Sequence, residues 1–336
     1  MTKHESYMRR CLHLAGLGLG STRPNPSVGC VIVYNDLIIG EGFTSPYGGP
    51  HAEVNAINSV KDKSLLKKAS LYVTLEPCSH HGKTPPCSDL IIEHKIPDVY
   101  IGTVDSNKKV SGKGINRLKA TGCKVHLGIL EGACKKQHKR FLVFHGKKRP
   151  YIILKWAESQ DGFIAPISKD QKKPIWLTTI HSRQLVHKWR TEEHAILVGT
   201  KTIAEDNPKL TARDWVGQNP IRVVIDKTNK LSKNHGVFDE SAETIRVSDQ
   251  LIDFNKPLAG QICKVLYEKN IQSVIIEGGA HTLKTFIYEN LWDEARVFTG
   301  SFALHKGLKA PVLKGDLISE EIILHDYLRY YMNNND

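Results

Sequence analysis

Apolar positions along this chain change rhythm several times, and each change marks an element. Residues 6–19 are apolar-rich at helical spacing and stop at Gly18-Leu19-Gly20. Two short apolar runs follow, Val28 to Tyr34 and Leu37 to Ile39, separated by Asn35-Asp36. That pattern predicts a two-strand hairpin. A helix is expected from about His51, a strand over Leu71 to Leu75 and a helix opening near Cys87. A strand over Val99–Val104, a helix from about Lys113 and a short strand near Val125 complete the first half. Such alternation predicts a sheet covered by helices.

A polar stretch closed by proline, Gly146-Lys147-Lys148-Arg149-Pro150, interrupts the pattern. It starts again at Tyr151-Ile152-Ile153-Leu154, with strands expected at Ala195–Val198, Ile221–Ile225 and Ser273–Ile276. The fold class is therefore α/β in two domains, residues 1–147 and 148–336, which suits a length of 336. The Asn-rich end, Asn333 to Asp336, reads as a frayed tail. No run approaches the ~18 apolar residues of a membrane span. The N-terminus has no secretory apolar core either. The expectation is a cytoplasmic protein with no membrane partner.

Charge sharpens the division. Residues 1–149 hold 23 Lys and Arg against 11 Asp and Glu, whereas residues 150–336 hold 24 of each. Seven of the cations crowd residues 135–149. They make either a solvated basic face or a surface for an anionic partner. Seven cysteines, at 11, 30, 78, 87, 123, 134 and 263, form an odd set without a signal peptide. Reduced thiols are expected, most of them small buried apolar groups.

Cys78 and Cys87 are the exceptions. With His51-Ala52-Glu53 they give one His and two Cys for zinc, and a glutamate two residues beyond the His that is not a ligand. Three protein ligands leave the fourth tetrahedral position for water. Bound zinc lowers that water's pKa, and Glu53 can carry its proton to a ring nitrogen and a departing amine. Two other readings stand beside this one: a structural zinc closed by His80 or His81, and unconnected residues. Upstream, Asn25 in the proline-held turn Asn25-Pro26-Ser27 offers a donor and an acceptor to a base or sugar edge.

Taken together, Asn25-Pro26-Ser27-Val28-Gly29, Pro50-His51-Ala52-Glu53 and the run from Glu76-Pro77-Cys78 through His80-His81-Gly82-Lys83 to Cys87 resemble the bifunctional riboflavin-biosynthesis deaminase–reductase family. In the second half Lys155 to Asp161-Gly162, Trp176-Leu177-Thr178, Ala195 to Gly199, Asp206-Asn207-Pro208 and Glu277-Gly278-Gly279 continue the likeness. The resemblance implies a cytidine-deaminase-like first domain and a dihydrofolate-reductase-like second one. It implies zinc-dependent deamination of 2,5-diamino-6-ribosylamino-4(3H)-pyrimidinone 5′-phosphate, then NADPH reduction of the ribosyl group to ribityl. His51, Cys78 and Cys87 fall on the zinc ligands and Glu53 on the proton shuttle. Asn25, Lys83 and Asn107 fall on substrate positions of the first domain.

In the second domain Ala157, Trp176, Thr202, Asp206 and the stretch Gly279, Ala280, His281, Thr282, Leu283, Lys284 and Thr285 fall on the NADPH side. Arg190, Leu210, Arg213 and Glu277 fall on the substrate side, the two arginines suiting a phosphate. No Gly-x-Gly-x-x-Gly follows a strand, so a Rossmann site is not expected, and the glycine turns at 199 and 278–279 either meet phosphates through backbone N–H groups or only make tight turns. Lys155 or Asp206 could donate the proton that the opened sugar ring needs. Two positions depart from the family pattern: Thr44 stands where a His is usual, and Glu158 interrupts an Ala-Ser pair. The family also implies a dimer or tetramer. The rival reading, a tRNA or nucleobase deaminase with an appended RNA-binding domain, leaves the charge-neutral second half unexplained. No nucleic-acid partner is expected.

Overall fold

The computed structural model describes residues 2–79, 85–105, 112–168 and 175–334, which form two compact units, residues 1–148 and 149–336. In the first, α1 (Lys3–Leu17) begins at a capping box in which Thr2 and Glu5 satisfy each other's backbone, and ends at Gly18. Then come β1 (Gly29–Tyr34) and β2 (Leu37–Phe43), α2 (Ala52–Ser59), β3 (Ser70–Leu75), α3 (Cys87–Glu93) and β4 (Asp98–Thr103). The unit closes with α4 (Lys113–Ala120), β5 (Lys124–Leu127), α5 (Glu131–Gln137) and α6 (Lys139–Lys147). Asn35 and Asp36 take φ of 48° and 62°, the left-handed pair that a tight hairpin demands.

Strand order is β2-β1-β3-β4-β5, with β1 antiparallel to both neighbours and β3, β4 and β5 parallel. Alternation sorts the side chains onto two faces. Val31, Val33 and Tyr72 pack against Met8, Cys11 and Leu14 of α1. Cys30, Ile32, Leu71 and Val73 pack against Ala56 and Ile57 of α2 and Ile91 of α3. Helix α2 lies so close to β2 that a Cβ at Gly42 would sit 2.5 Å from the Ala56 nitrogen. That contact fixes where the start of α2 stands relative to the sheet.

The second unit opens with β6 (Tyr151–Glu158), β7 (Phe163–Ala165), α7 (Ile180–Glu192), β8 (Ala195–Gly199) and α8 (Thr200–Asp206). It continues through β9 (Ile221–Ile225), β10 (Thr244–Val247), α9 (Leu258–Glu268), β11 (Ser273–Ile276) and α10 (Ala280–Tyr288). Strands β12 (Glu294–Thr299), β13 (Leu308–Lys309), β14 (Asp316–Ile323) and β15 (Asp326–Met332) finish it. The main sheet runs β10-β9-β8-β11-β6-β12-β15-β14, and only β15 runs against the rest, antiparallel to both β12 and β14. Strand β11 returns between β8 and β6, which makes a switch point where open sheets bind ligands at the strands' carboxyl ends.

One expectation is corrected at the end of the chain. Asn333 and Asn334 are not frayed: the Asn333 amide donates to the Trp292 carbonyl at 2.9 Å and Asn334 to Asp316 at 2.9 Å, while Asn335 and Asp336 lie outside the described residues. Short amide side chains find backbone and carboxylate partners here as readily as they find water.

Candidate functional site

In the first unit three loop–helix junctions meet. His51 is the N-cap of α2, with extended backbone at φ −74° and ψ 166°, and Glu53 lies in the helix's first turn. Cys78 follows β3 after Glu76-Pro77, and Cys87 is the first residue of α3. The His51 Nδ1 lies 3.7 Å from the Cys78 Sγ and 3.3 Å from the Cys87 Sγ. All three ligand atoms lie within 4.8 Å of one another. Tetrahedral zinc with Zn–S of ~2.3 Å and Zn–N of ~2.0 Å sets sulfur and nitrogen roughly 3.5 Å apart, so the spacing fits.

The electrostatics fit as well. The Cys87 thiol and the Cys87 backbone N–H both donate to the Cys78 sulfur, with burial opposing and His51 assisting, and the Cys78 thiol is lowered to about 4. A preformed thiolate suits a cation. Glu53 is 4% exposed, and burial, with the Cys78 charge adding, raises its carboxyl to about 7. A group near neutrality can both take and release a proton. Among the described residues no fourth His, Cys, Asp or Glu joins the three ligands. His80, His81, Lys83 and Asn107 lie outside the described residues.

Glu76 carries a role that the sequence did not reveal. Its buried carboxylate accepts the backbone N–H groups of Asp105, Gly112, Gly114 and Ile115 at 3.0–3.3 Å, capping α4. Pairing of a β3-end carboxylate with a helix start 36 residues away leaves no local signature. Asn25 sits in the turn before β1, its backbone N–H donating to the Thr22 carbonyl at 2.9 Å. Thr44 is buried, and its hydroxyl accepts the Val28 N–H at 3.0 Å, so it steadies that turn.

The zinc assignment has a direct check. One zinc per chain copurifies with the native sequence, and Cys78→Ser or Cys87→Ser loses both the metal and deamination. Full zinc content with full activity in both variants would refute the ligand set.

The second unit holds a cavity of about 1650 Å³ at the carboxyl ends of β6, β8, β9 and β11. That exceeds the ~300–1,000 Å³ of a drug-sized pocket and leaves room for a dinucleotide beside a second ligand. Gly199 and Gly279 are the N-caps of α8 and α10. A Cβ at Gly199 would meet the Thr282 hydroxyl at 2.6 Å and one at Gly279 the Thr202 hydroxyl at 3.9 Å, and both helix starts at the cavity are bare of a side chain. Helix starts bared in this way suit phosphates, so the residues present fit NADPH.

Of the expected cofactor residues, Ala157, Trp176, Thr202, Asp206, Gly279, Ala280, His281, Thr282, Lys284 and Thr285 line the cavity. Leu283 does not. It is fully buried in the core, because two residues from both His281 and Thr285 it lies on the opposite side of α10 from them. Lys155, Arg190, Leu210, Arg213 and Glu277 also line the cavity. Glu158 is tied to its neighbours instead, accepting the Trp156 indole N–H at 2.9 Å.

The polar floor is an ion cluster. Glu277 accepts from Arg190 at 2.7 Å and lies 3.7 Å from the Lys155 ammonium. Those two cations hold its carboxyl at about 2 against the upward push of burial. Burial lowers the Lys155 ammonium from its usual value, with Glu277 resisting and Arg190 assisting. Arg190 gives its other NH group to the Thr211 carbonyl at 3.0 Å, so its fork is engaged within the protein. Arg213 lines the same cavity with a side chain 53% exposed, 3.9 Å from the Asp214 carboxylate. Among the lining residues that the sequence reading did not single out are Arg183, stacked 4.3 Å over the Trp176 ring, and His187. Their signal was spacing on one helix face with Arg190.

Comparison with known proteins yields two family models, the cytidine and deoxycytidylate deaminase zinc-binding region over residues 1–103 and the RibD C-terminal domain over residues 150–320. The chain is 36% identical over 320 residues to riboflavin biosynthesis protein RibD of Aquifex aeolicus, covering 90% of this chain and 88% of that one. It is 39% identical over 254 residues to the protein of that name from Escherichia coli, covering 71% and 68%. A crystal structure of a diaminohydroxyphosphoribosylaminopyrimidine deaminase/5-amino-6-(5-phosphoribosylamino)uracil reductase from Thermotoga maritima matches with a TM-score of 0.89 and 38% identity over 98% of this chain and 99% of that one. Acinetobacter baumannii RibD matches with a TM-score of 0.91 and 30% identity over 99% of both chains.

Proposed function

From the premise that this chain belongs to the RibD family of riboflavin biosynthesis, bifunctional enzymes with a zinc-dependent deaminase and an NADPH-dependent reductase domain, we propose how its residues divide that work. Deamination belongs to residues 1–147 and reduction to 148–336. In support, the sheet cores draw on one side of this boundary each. The substrate is a ribosylated diaminopyrimidinone carrying a 5′-phosphate. The observation that carries this is the pairing, in one chain, of a His-Cys-Cys centre beside a buried glutamate with a glycine-capped cavity bearing an exposed arginine.

His51, Cys78 and Cys87 hold the metal, which when bound supplies a nucleophilic hydroxide at neutral pH. Glu53 would carry one proton of the attacking water to the ring nitrogen, and then the proton of the added hydroxyl to the leaving amine. Asn25 orients the ring, and Lys83 and Asn107 meet the rest of the substrate. In the second unit the glycine-capped starts of α8 and α10 would hold NADPH, which when bound would supply a hydride for the sugar C1. Opening of the sugar ring leaves an oxygen in need of a proton, and Lys155 donates it. Asp206, on the cofactor side with Thr202 and Trp176, positions the nicotinamide end. Leu210 walls the substrate, Glu277 orders Lys155 and Arg190, and Arg213 takes the phosphate.

The location is cytoplasmic, in keeping with free cysteines and with the lack, among the described residues, of any helix long and apolar enough to cross a membrane. A homo-oligomer, dimer or tetramer, would cover the edge strand β14, where Leu317, Ile318 and Ile322 are more than half exposed. No nucleic acid enters the scheme. Incubating the purified protein with the diaminopyrimidinone phosphate tests the whole reading. The deaminated product appears without NADPH and the ribityl product only with it; release of neither product would overturn it.

A further inference from the structure

Loop 210–214 is fastened to the cavity wall at every residue around Arg213. The Leu210 side chain is buried, on a left-handed backbone with φ 58°. The Thr211 carbonyl accepts from Arg190 at 3.0 Å, and the Ala212 N–H donates to Asn219 Oδ1 at 2.9 Å. The Asp214 N–H donates to the His187 Nδ1 at 3.2 Å. Arg213, between these points, keeps a side chain 53% exposed. A long flexible arm on a rigid base is what a directed phosphate contact needs, because the base has already lost its freedom.

His187 acts twice in this arrangement. Its ring is 5% exposed, and its Nε2 lies 3.4 Å from the Asp214 carboxylate. Because Nδ1 accepts a hydrogen bond, the proton of the neutral ring is on Nε2, directed toward that carboxylate. Asp214 Oδ2 is also 3.9 Å from the Arg213 Nε. The imidazole therefore shares this carboxylate oxygen with Arg213, and its shorter contact limits how closely the carboxylate pairs with the arginine. Burial, with Arg190 and Arg213 adding, lowers the ring to about 4, so it stays the neutral acceptor this geometry requires.

We propose that His187 is a positioning residue that sets the phosphate specificity of the reductase by fixing the Arg213–Asp214 turn, touching neither substrate nor cofactor. This rests on the reading that Arg213 meets the substrate phosphate. It names the imidazole as the part that keeps Arg213 available to an anion.

The test combines kinetics with direct binding. His187→Leu raises KM for the phosphorylated substrate about tenfold, the worth of one charge-assisted contact, and leaves kcat and the NADPH Kd from fluorescence titration unchanged. Ribose 5-phosphate, used as a probe of the anion site, binds more weakly in the same proportion. His187→Asn, whose side-chain oxygen can take the place of Nδ1, recovers most of the affinity. His187→Leu combined with Arg213→Ala is no worse than Arg213→Ala alone, since both remove one contact. Additive losses, or an NADPH Kd that moves with KM, would show a general structural role and overturn the inference. A wild-type KM in His187→Leu, with KM raised in Arg213→Ala, overturns the inference alone. If Arg213→Ala keeps a wild-type KM, the phosphate reading has failed and the inference falls with it.

Discussion

Glu53→Gln leaves a chain that still binds one zinc and reduces its second substrate normally, yet deaminates at least ~10²-fold more slowly. The amide occupies nearly the volume of the carboxylate, so the packing of α2 against the sheet survives. What it cannot do is take a proton. Glu53 is buried in the first turn of α2, two residues beyond His51, so it faces the centre without entering the ligand set. Loss of a ligand would instead release the metal, as in Cys78→Ser. The two classes of variant therefore separate by zinc content, and the reductase activity of the same chain reports on folding. Zinc analysis beside single-turnover deamination is the measurement. Activity near that of the native sequence would sink the proton-shuttle role.

How far the sequence carried these assignments depended on the distance over which each feature is encoded. The Asn35-Asp36 hairpin was legible because its turn demands left-handed residues at the turn itself. The candidate metal ligands were legible because His51 and Cys87 each mark a helix start and Cys78 follows the end of a strand. Features closed by partners far along the chain were hidden. Arg222 lies in a strand that reads as apolar, Ile221 to Ile225, yet it is fully buried and paired with Asp239 at 2.8 Å. Asp326, on the C-terminal strand β15, accepts the Thr179 N–H at 2.8 Å and the Ser182 hydroxyl at 2.5 Å. It thereby caps α7, the helix that carries Arg183, His187 and Arg190, from 147 residues away. The long hairpin β14–β15 was hidden for another reason. Burial on β14 is almost nil, so its residues lack the alternation that marks a half-buried strand. At Leu283 the side chain lies in the core, because a continuous stretch of sequence includes both faces of the helix that it forms.

Lys155→Met reduces kcat of the reductase by ~10²-fold or more, the range of general acid catalysis, while the NADPH Kd stays within twofold of native. Two geometric facts single out this lysine over Asp206. It is buried at the cavity floor, 3.7 Å from Glu277, and it lies on the rigid strand β6. Asp206 ends a short helix at the cofactor side. The substitution leaves Glu277 paired with Arg190 at 2.7 Å, so no carboxylate is stranded and the fold is retained. The pH profile supplies an independent sign. The donor must be protonated, so the rate falls as pH rises through its pKa. Burial lowers that pKa from the usual 10.5, and the alkaline limb of the native enzyme therefore lies below the ordinary lysine range. Lys155→Met lacks that limb, whereas Asp206→Asn keeps it together with most of kcat. An alkaline limb that persists in Lys155→Met, with kcat lost instead in Asp206→Asn, would transfer the proton donation to Asp206.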